Sequence, residues 1–347
     1  MTKALYGNWG LVATALVGFA LMVGLPNVLD LYDLLQVTVY IIYAILALSL
    51  AFIWGYGGIL CFGHSAFFGL GAYTYAITAI NMGESTAPMA MAILLPAALA
   101  AALGYFMFYG RISDVYVGVI TLTLTLIFYN VVNSTAGAEY HIGRALIGGY
   151  NGIPNIPSLN FPLSPDDTLD PTAMFVLCMA VLMIVYFGLH GLLATRFGRV
   201  LVAVRENEQR VEFLGYDARL HKLVAFSIGG AIAGLAGCLF ATWGNYVSPG
   251  IFGVQQSAQI IIWLMVGGAG TLLGPMLSAM ALSWLTAELG TQQFVNAGAV
   301  LGAILLVFVL LVPRGMAPMV MERLARWLPA LRRPARLTHE LAQKGKV

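Results

Sequence analysis

The sequence predicts an all-α, polytopic bundle of about eight to ten membrane-spanning helices, and three observations carry that prediction. First, 60% of the 347 residues are hydrophobic and only 9% are charged, where a soluble domain carries about 25% charged residues. Such a chain cannot cover itself with polar surface, so lipid tails must be its solvent. Second, the apolar runs are continuous over the roughly 17–25 residues that a spanning helix needs. Strands of an outer-membrane barrel would alternate polar and apolar instead. Third, the basic residues fall almost entirely in the segments that would lie on one side of the membrane.

Taken in order, the apolar runs are 9–25, 34–54, 60–80, 88–108, 112–132, 172–190, 223–243, 252–266, 272–289 and 297–313. The first follows Lys3 in the manner of a signal peptide, but Leu21-Met-Val-Gly-Leu-Pro-Asn27 offers no small-x-small cleavage site, so it reads as a helix. The run 252–266 is short. The glycine-rich stretches near 55–58 and 267–274 are candidates for broken or re-entrant segments, which would lower the count while keeping the ends on the same side. Gly55-Tyr-Gly-Gly-Ile-Leu and Gly267-Gly-Ala-Gly-Thr-Leu-Leu-Gly274 echo each other weakly, but in the same orientation, which does not fit a simple inverted repeat.

With both termini cytoplasmic, 16 of the 17 Lys and Arg residues face inward and only Arg144 faces outward. The outward segments carry acids instead: Asp30, Asp33, Glu84, Glu139, Asp166, Asp167 and Asp170. This organisation gives a transmembrane region over 1–313, a long external loop at 133–171, a charged cytoplasmic loop at 191–222 and a basic tail at 314–347. The external loop is rich in Gly, Pro and Asn, needs no regular structure and suits contact with something outside. The tail suits the anionic inner leaflet.

Several chemistries are missing. No Gly-Lys-Ser/Thr exists to cradle a nucleotide, and there is no His-Glu-x-x-His helix, no Gly-x-Ser-x-Gly elbow and no dinucleotide fingerprint. No metal site is expected. Cys61, Cys178 and Cys238 sit in apolar runs without ligand spacing and read as small buried hydrophobes. Candidate ion-coupling groups at membrane depth are few. They are His64, Glu288, and Asp114 with Arg111 as its i,i+3 partner. The energy source for any transport therefore belongs on another chain.

Three motifs remain. The stretch 195–226 holds six of the 17 basic and four of the 15 acidic residues. From Arg199 to Leu214 it predicts an amphipathic helix with Val200, Val204, Val211 and Leu214 on one face and Gly215 as its stop. Such a helix is either a solvated loop helix or a docking element for a soluble protein, and the residues alone leave both open. The second motif, 55–74, holds Gly55, Gly57, Gly58, Gly63, Gly69 and Gly71 beside His64, Ser65, Tyr73 and Thr74. Small residues let helices approach closely or break where backbone lines a cavity. His64 by itself reads more readily as a helix-packing hydrogen-bonder than as a ligand. The third, Gly230 with Gly234, is a GxxxG contact pattern, as is Gly270 with Gly274.

Together these motifs resemble the permease subunits of branched-chain amino acid ABC importers, a group that includes urea and short-amide permeases. The resemblance rests on 55–73, with Cys61 where Ser is common, and on Gly198-Arg-Val-Leu and Arg205-Glu-Asn-Glu through Leu214-Gly215. It rests also on a loose match of Gln209–Gly215 to the importers' EAA loop, and on Ser248-Pro249, Val266–Pro275 and Pro313-Arg-Gly315. It covers about residues 40–318 and points to the second, M-type permease. The resemblance implies ATPase coupling through Arg199, Val204, Arg205, Glu206, Asn207, Glu208, Arg210, Leu214 and Gly215. It implies a translocation path near Gly55, Gly57, Gly58, Gly63, His64, Ser65, Gly69, Gly71, Tyr73, Gly267, Gly268, Gly270 and Thr271. The implied partners are a second homologous permease, two cytoplasmic ATP-binding subunits that carry ATP and Mg, an external binding protein and the bacterial inner membrane. Nucleic acid is not among them, and no cofactor is expected on this chain. Branched-chain amino acids are the expected cargo. Glu208–Tyr216 and Ile262-Trp263 lean toward the urea branch, and aromatic carboxylates are a further alternative. A self-sufficient carrier or channel is the reading from another class.

Overall fold

The computed structural model describes residues 8–137, 139–161, 164–290, 300, 302 and 303. The predicted span 297–313, the tail 314–347 and the Pro313-Arg-Gly315 motif therefore lie almost wholly outside the described residues.

The described chain is helical over most of its apolar runs. In order these are α1 (Asn8–Val28), α2 (Leu31–Leu50), α3 (Ser65–Met82), α4 (Thr86–Gly104), α5 (Asp114–Asn133), α6 (Pro171–Ala194), α7 (Arg196–Glu206), α8 (Glu208–Phe213), α9 (Ala218–Gly244), α10 (Val254–Gly267) and α11 (Leu273–Gly290). α2 and α4 each run on through a widened π-helical stretch, at Ala51–Tyr56 and Tyr105–Tyr109. Six of the helices are long and apolar enough to cross a membrane: α1, α2, α4, α5, α6 and α9. This is an all-α polytopic membrane bundle.

α3, α4 and α9 pack together as the tightest part of the bundle. The three come close because small residues face each other. A side chain at Gly71 would strike the backbone of Gly234, and one at Gly237 the carbonyl of Phe68. Gly230 and Gly234 lie against Ala100 and Pro96 of α4, so this GxxxG pair does mark a tight helix contact. Gly270 and Gly274 do not act as such a pair. Among the described residues nothing stands within 4 Å of a Cβ built on Gly270. The close approach is instead between Gly267 and Gly274, across the α10–α11 hairpin. α1 lies at the edge, with Gly18 against Met183 of α6 and its outward Leu16, Val17 and Phe19 exposed as a lipid-facing surface requires.

The predicted span 60–80 starts late. Residues 57–64 form an irregular link, and helix resumes only at Ser65. The short run 252–266 is also less than a full span. α10 has 14 residues, about 21 Å at 1.5 Å per residue. Just before it, Phe252 stacks on Tyr73 at 5.4 Å and meets Phe128 at 5.5 Å between ring centroids.

The segment between α5 and α6 is more ordered than its composition predicts. It holds the antiparallel pair His141–Ile142 with Ala145–Leu146, and Ile153–Pro154 pairs with Tyr246–Val247 after α9. Distant side chains pin it. Tyr75 donates to the Pro157 carbonyl at 3.1 Å, and Asn81 donates to the Ile142 carbonyl at 2.8 Å while accepting from the Arg144 amide at 2.6 Å. Backbone groups that composition leaves unpaired are thus satisfied from other elements.

Candidate coupling site at the charged end of the bundle

The charged stretch between α6 and α9 folds as two helices, where the sequence predicts one helix over Arg199–Leu214. Thr195 caps α7 by accepting from the Gly198 amide at 3.4 Å. α7 then ends because Asn207 turns extended, with φ −164° and ψ 100°. The Asn207 side chain accepts from the Arg210 amide at 2.9 Å and so opens α8. An Asn side chain offers the backbone this alternative to continuous helix. Gly215, at φ +85°, closes α8 as expected, and Asp217 caps α9 by accepting from the Leu220 amide at 3.1 Å.

The break reassigns the apolar face. Val204 and Val211 are buried and form a small cluster with Ala218, against which Val200 packs. Leu214 was expected on that face but is 75% exposed. Resetting the helical phase at Asn207 turns it outward beside Phe213, 89% exposed, and Tyr216. This apolar tip was legible as Phe213-Leu214-x-Tyr216 inside a charged run, yet periodicity over a single helix concealed it.

The charged positions divide by role. The Arg199 guanidinium donates to the Ala194 carbonyl at 2.8 Å and caps the end of α6. Glu206 and Arg210 are exposed. Glu208 accepts from Lys222 Nζ at 2.5 Å. Arg205 Nη2 lies 2.5 Å from Glu206 Oε1, and its Nη1 donates to the carbonyl of Gly55 at the end of α2. Gly58, with φ +70°, leaves room for the Arg205 stem: a Cβ there would stand 2.7 Å from Arg205 Cγ. Gly55 in turn lies against the Ala269 carbonyl, and the Tyr56 hydroxyl donates to the Gly270 carbonyl at 3.4 Å. Three stretches far apart in sequence, 55–58, 205 and 269–270, therefore meet at one junction.

The remaining glycine-motif residues sit at this junction or in the bundle centre. Gly57 backs onto the Ile53 carbonyl at 2.6 Å from a built Cβ. Gly268 takes φ +94° in the α10–α11 turn, and Thr271 accepts there from the Gly274 amide at 3.2 Å. In the centre, the Gly63 carbonyl accepts from Thr125 at 3.1 Å, and Gly69 is covered by the Phe252 ring. His64 is fully buried, with Nε2 2.6 Å from Ser49 Oγ. The Ser65 and Ser257 hydroxyls lie 2.6 Å apart. These contacts tie neighbouring helices together at the bundle centre. The Tyr73 hydroxyl is buried without a hydrogen-bond partner among the described residues.

Asp114 and Arg111 do not share a helix. Arg111 stands in the turn before α5 at φ 53°, so the i,i+3 geometry is absent, and Asp114 Oδ1 instead lies 3.8 Å from Lys222 Nζ. Sequence spacing gave no sign of that partner.

Comparison with known proteins places this arrangement. The family described as branched-chain amino acid transport system / permease component matches residues 34–310. The high-affinity branched-chain amino acid transport system permease protein LivM of Escherichia coli K12 is 30% identical over 313 residues, covering 83% of this chain and 70% of LivM. The probable LivM of Methanocaldococcus jannaschii is 28% identical over 69% of this chain and 76% of its own length. The autoinducer 2 import system permease protein LsrC of Enterobacter sp. 638 is 30% identical over 50% of this chain and 51% of its own. No solved structure matches. With a family match across the α2–α11 bundle and a LivM relative along most of its length, this multi-pass chain belongs to the branched-chain amino acid transport system permease family.

Proposed function

We propose that the chain is one membrane-spanning half of an ATP-driven importer of branched-chain amino acids, working in the bacterial inner membrane with a second permease. Two cytoplasmic ATPases supply energy and an external binding protein delivers the solute. The observation that carries this reading is the junction at Arg205. A charged loop with an exposed apolar tip is joined through one side chain to the glycine-rich ends of α2 and the α10–α11 hairpin. An ATPase seated on Phe213, Leu214 and Tyr216, with Glu206 and Arg210 beside them, pulls α7 and α8. Arg205 then pulls on 55–58. The glycine-rich stretches 55–74 and 267–271 shape the path that this movement opens. ATP binding shifts the population toward one access state because the partner binds that state better. The names of the LivM relatives and of the family support branched-chain amino acids as the solute.

The test replaces the tip without touching the junction. Phe213→Asp with Leu214→Asp is expected to abolish co-purification of the ATPases and leucine uptake, while the chain keeps its wild-type elution in detergent. Retained ATPase binding and uptake overturn the docking assignment.

A further inference from the structure

We propose that Lys222 is a strut that carries movement of the coupling loop into the feet of α4 and α5, a second route beside Arg205. The proposal rests on the docking reading above. Lys222 is only 8% exposed, and its ammonium lies 2.5 Å from Glu208 Oε2 of α8 and 3.8 Å from Asp114 Oδ1, the first residue of α5. A buried charge is costly unless paired, and breaking the pair strands it. Helix energetics do not account for a lysine here, because a cation near a helix N-terminus opposes the macrodipole, and Lys222 is the fifth residue of α9. Its two carboxylates account for it.

A parallel tie stands beside it. Arg219 Nε lies 3.9 Å from Glu212 Oε1 of α8, and the guanidinium carbon sits 5.9 Å from the ring centre of Tyr109 at the foot of α4. Both ties line one cleft of about 330 Å³ between α8, the start of α9 and the α4–α5 turn, which Arg111 also lines. Among the described residues α5 packs along one face, where Val117, Gly118, Thr121 and Thr125 are buried. That face meets Phe62 at Gly118, the Gly63 stretch at Thr121 and Thr125, and Phe252 at Phe128. When α8 moves, Glu208 draws the ammonium with it, and the ammonium draws Asp114 through their ion pair. Lys222 is thus a positioning residue that acts through α5.

The test is hydrogen–deuterium exchange on the assembled transporter, with and without ATP plus vanadate, reading peptides over 110–118 and over 55–58. In the wild type both peptides are expected to respond to trapping. In Lys222→Met the response over 110–118 is expected to fall about tenfold while that over 55–58 persists, and Lys222→Arg restores it. Asp114→Asn, at a side chain 56% exposed, is expected to lose the same response and decides the matter should Lys222→Met fail to assemble. A wild-type-sized response over 110–118 in Asp114→Asn, or in assembled Lys222→Met, overturns the strut. So does a wild type that responds over 55–58 alone. A wild type that binds no ATPase overturns the docking reading, and the strut with it.

Discussion

Arg205 of α7 donates a hydrogen bond to the backbone carbonyl of Gly55, 150 positions earlier in the chain. The contact joins the most charged stretch of the described chain to one of its most glycine-rich. It explains why both stand where they do. The carbonyl is one of the last in α2, where a helix leaves acceptors without intrahelical donors, and a guanidinium near a helix C-terminus is favoured by the macrodipole. Gly58 keeps the approach open.

Gly58→Ala therefore has two costs. A left-handed residue with a Cβ costs about 1–2 kcal/mol, and the methyl displaces the Arg205 stem. Gly83 has nearly the same φ, +71° against +70°, but nothing within 4 Å of a built Cβ among the described residues. Gly83→Ala is expected to lower the melting temperature with uptake retained. Gly58→Ala is expected to lower both. Equal uptake in the two variants would show that the Arg205 approach is immaterial.

The α3–α9 contact predicts a sharp size limit. Gly71→Val forces side-chain atoms into the Gly234 backbone, and overpacking of this kind costs about 1–3 kcal/mol. A lower midpoint in detergent melting is expected. Gly270→Ala, in open space in the described structure, is expected to melt as the wild type does. A Gly71→Val protein that melts unchanged means that α3 and α9 are not apposed.

Asn207 separates α7 from α8. Asn207→Ala removes the cap on the Arg210 amide, worth about 1 kcal/mol, and favours one continuous helix. Spin labels at positions 203 and 212 are expected to move apart toward the spacing of a straight helix, with ATPase binding weakened. Unchanged label distances would mean that the break is held by something other than Asn207.

Much of this was legible in the residues. α1, α2, α4, α5, α6 and α9 stand out as apolar runs because lipid is the solvent and composition alone decides what spans. α10 was legible as too short. The break at Asn207 was hidden because Val200, Val204 and Val211 satisfy one helical face as well as they satisfy two short helices. What decides between them is a side-chain cap. The order of the 134–170 segment was hidden for a different reason. It is held by Tyr75, Asn81 and Asn245, long-range partners that local composition does not announce. Lys222 with Asp114 is the same case across the turns at the charged end of the bundle. Of the site, the charged and glycine-rich stretches were each visible, but their meeting at Arg205 and Gly55 belongs to the fold.

The most direct measurement is leucine accumulated per ATP hydrolysed by the reconstituted transporter carrying Arg205→Met. The junction predicts that the ATPases still co-purify while this ratio falls about tenfold, and that Arg205→Lys recovers only part of it, since an ammonium lacks the planar fork. A wild-type ratio in Arg205→Met would contradict the claim that the coupling loop acts on the bundle through Gly55.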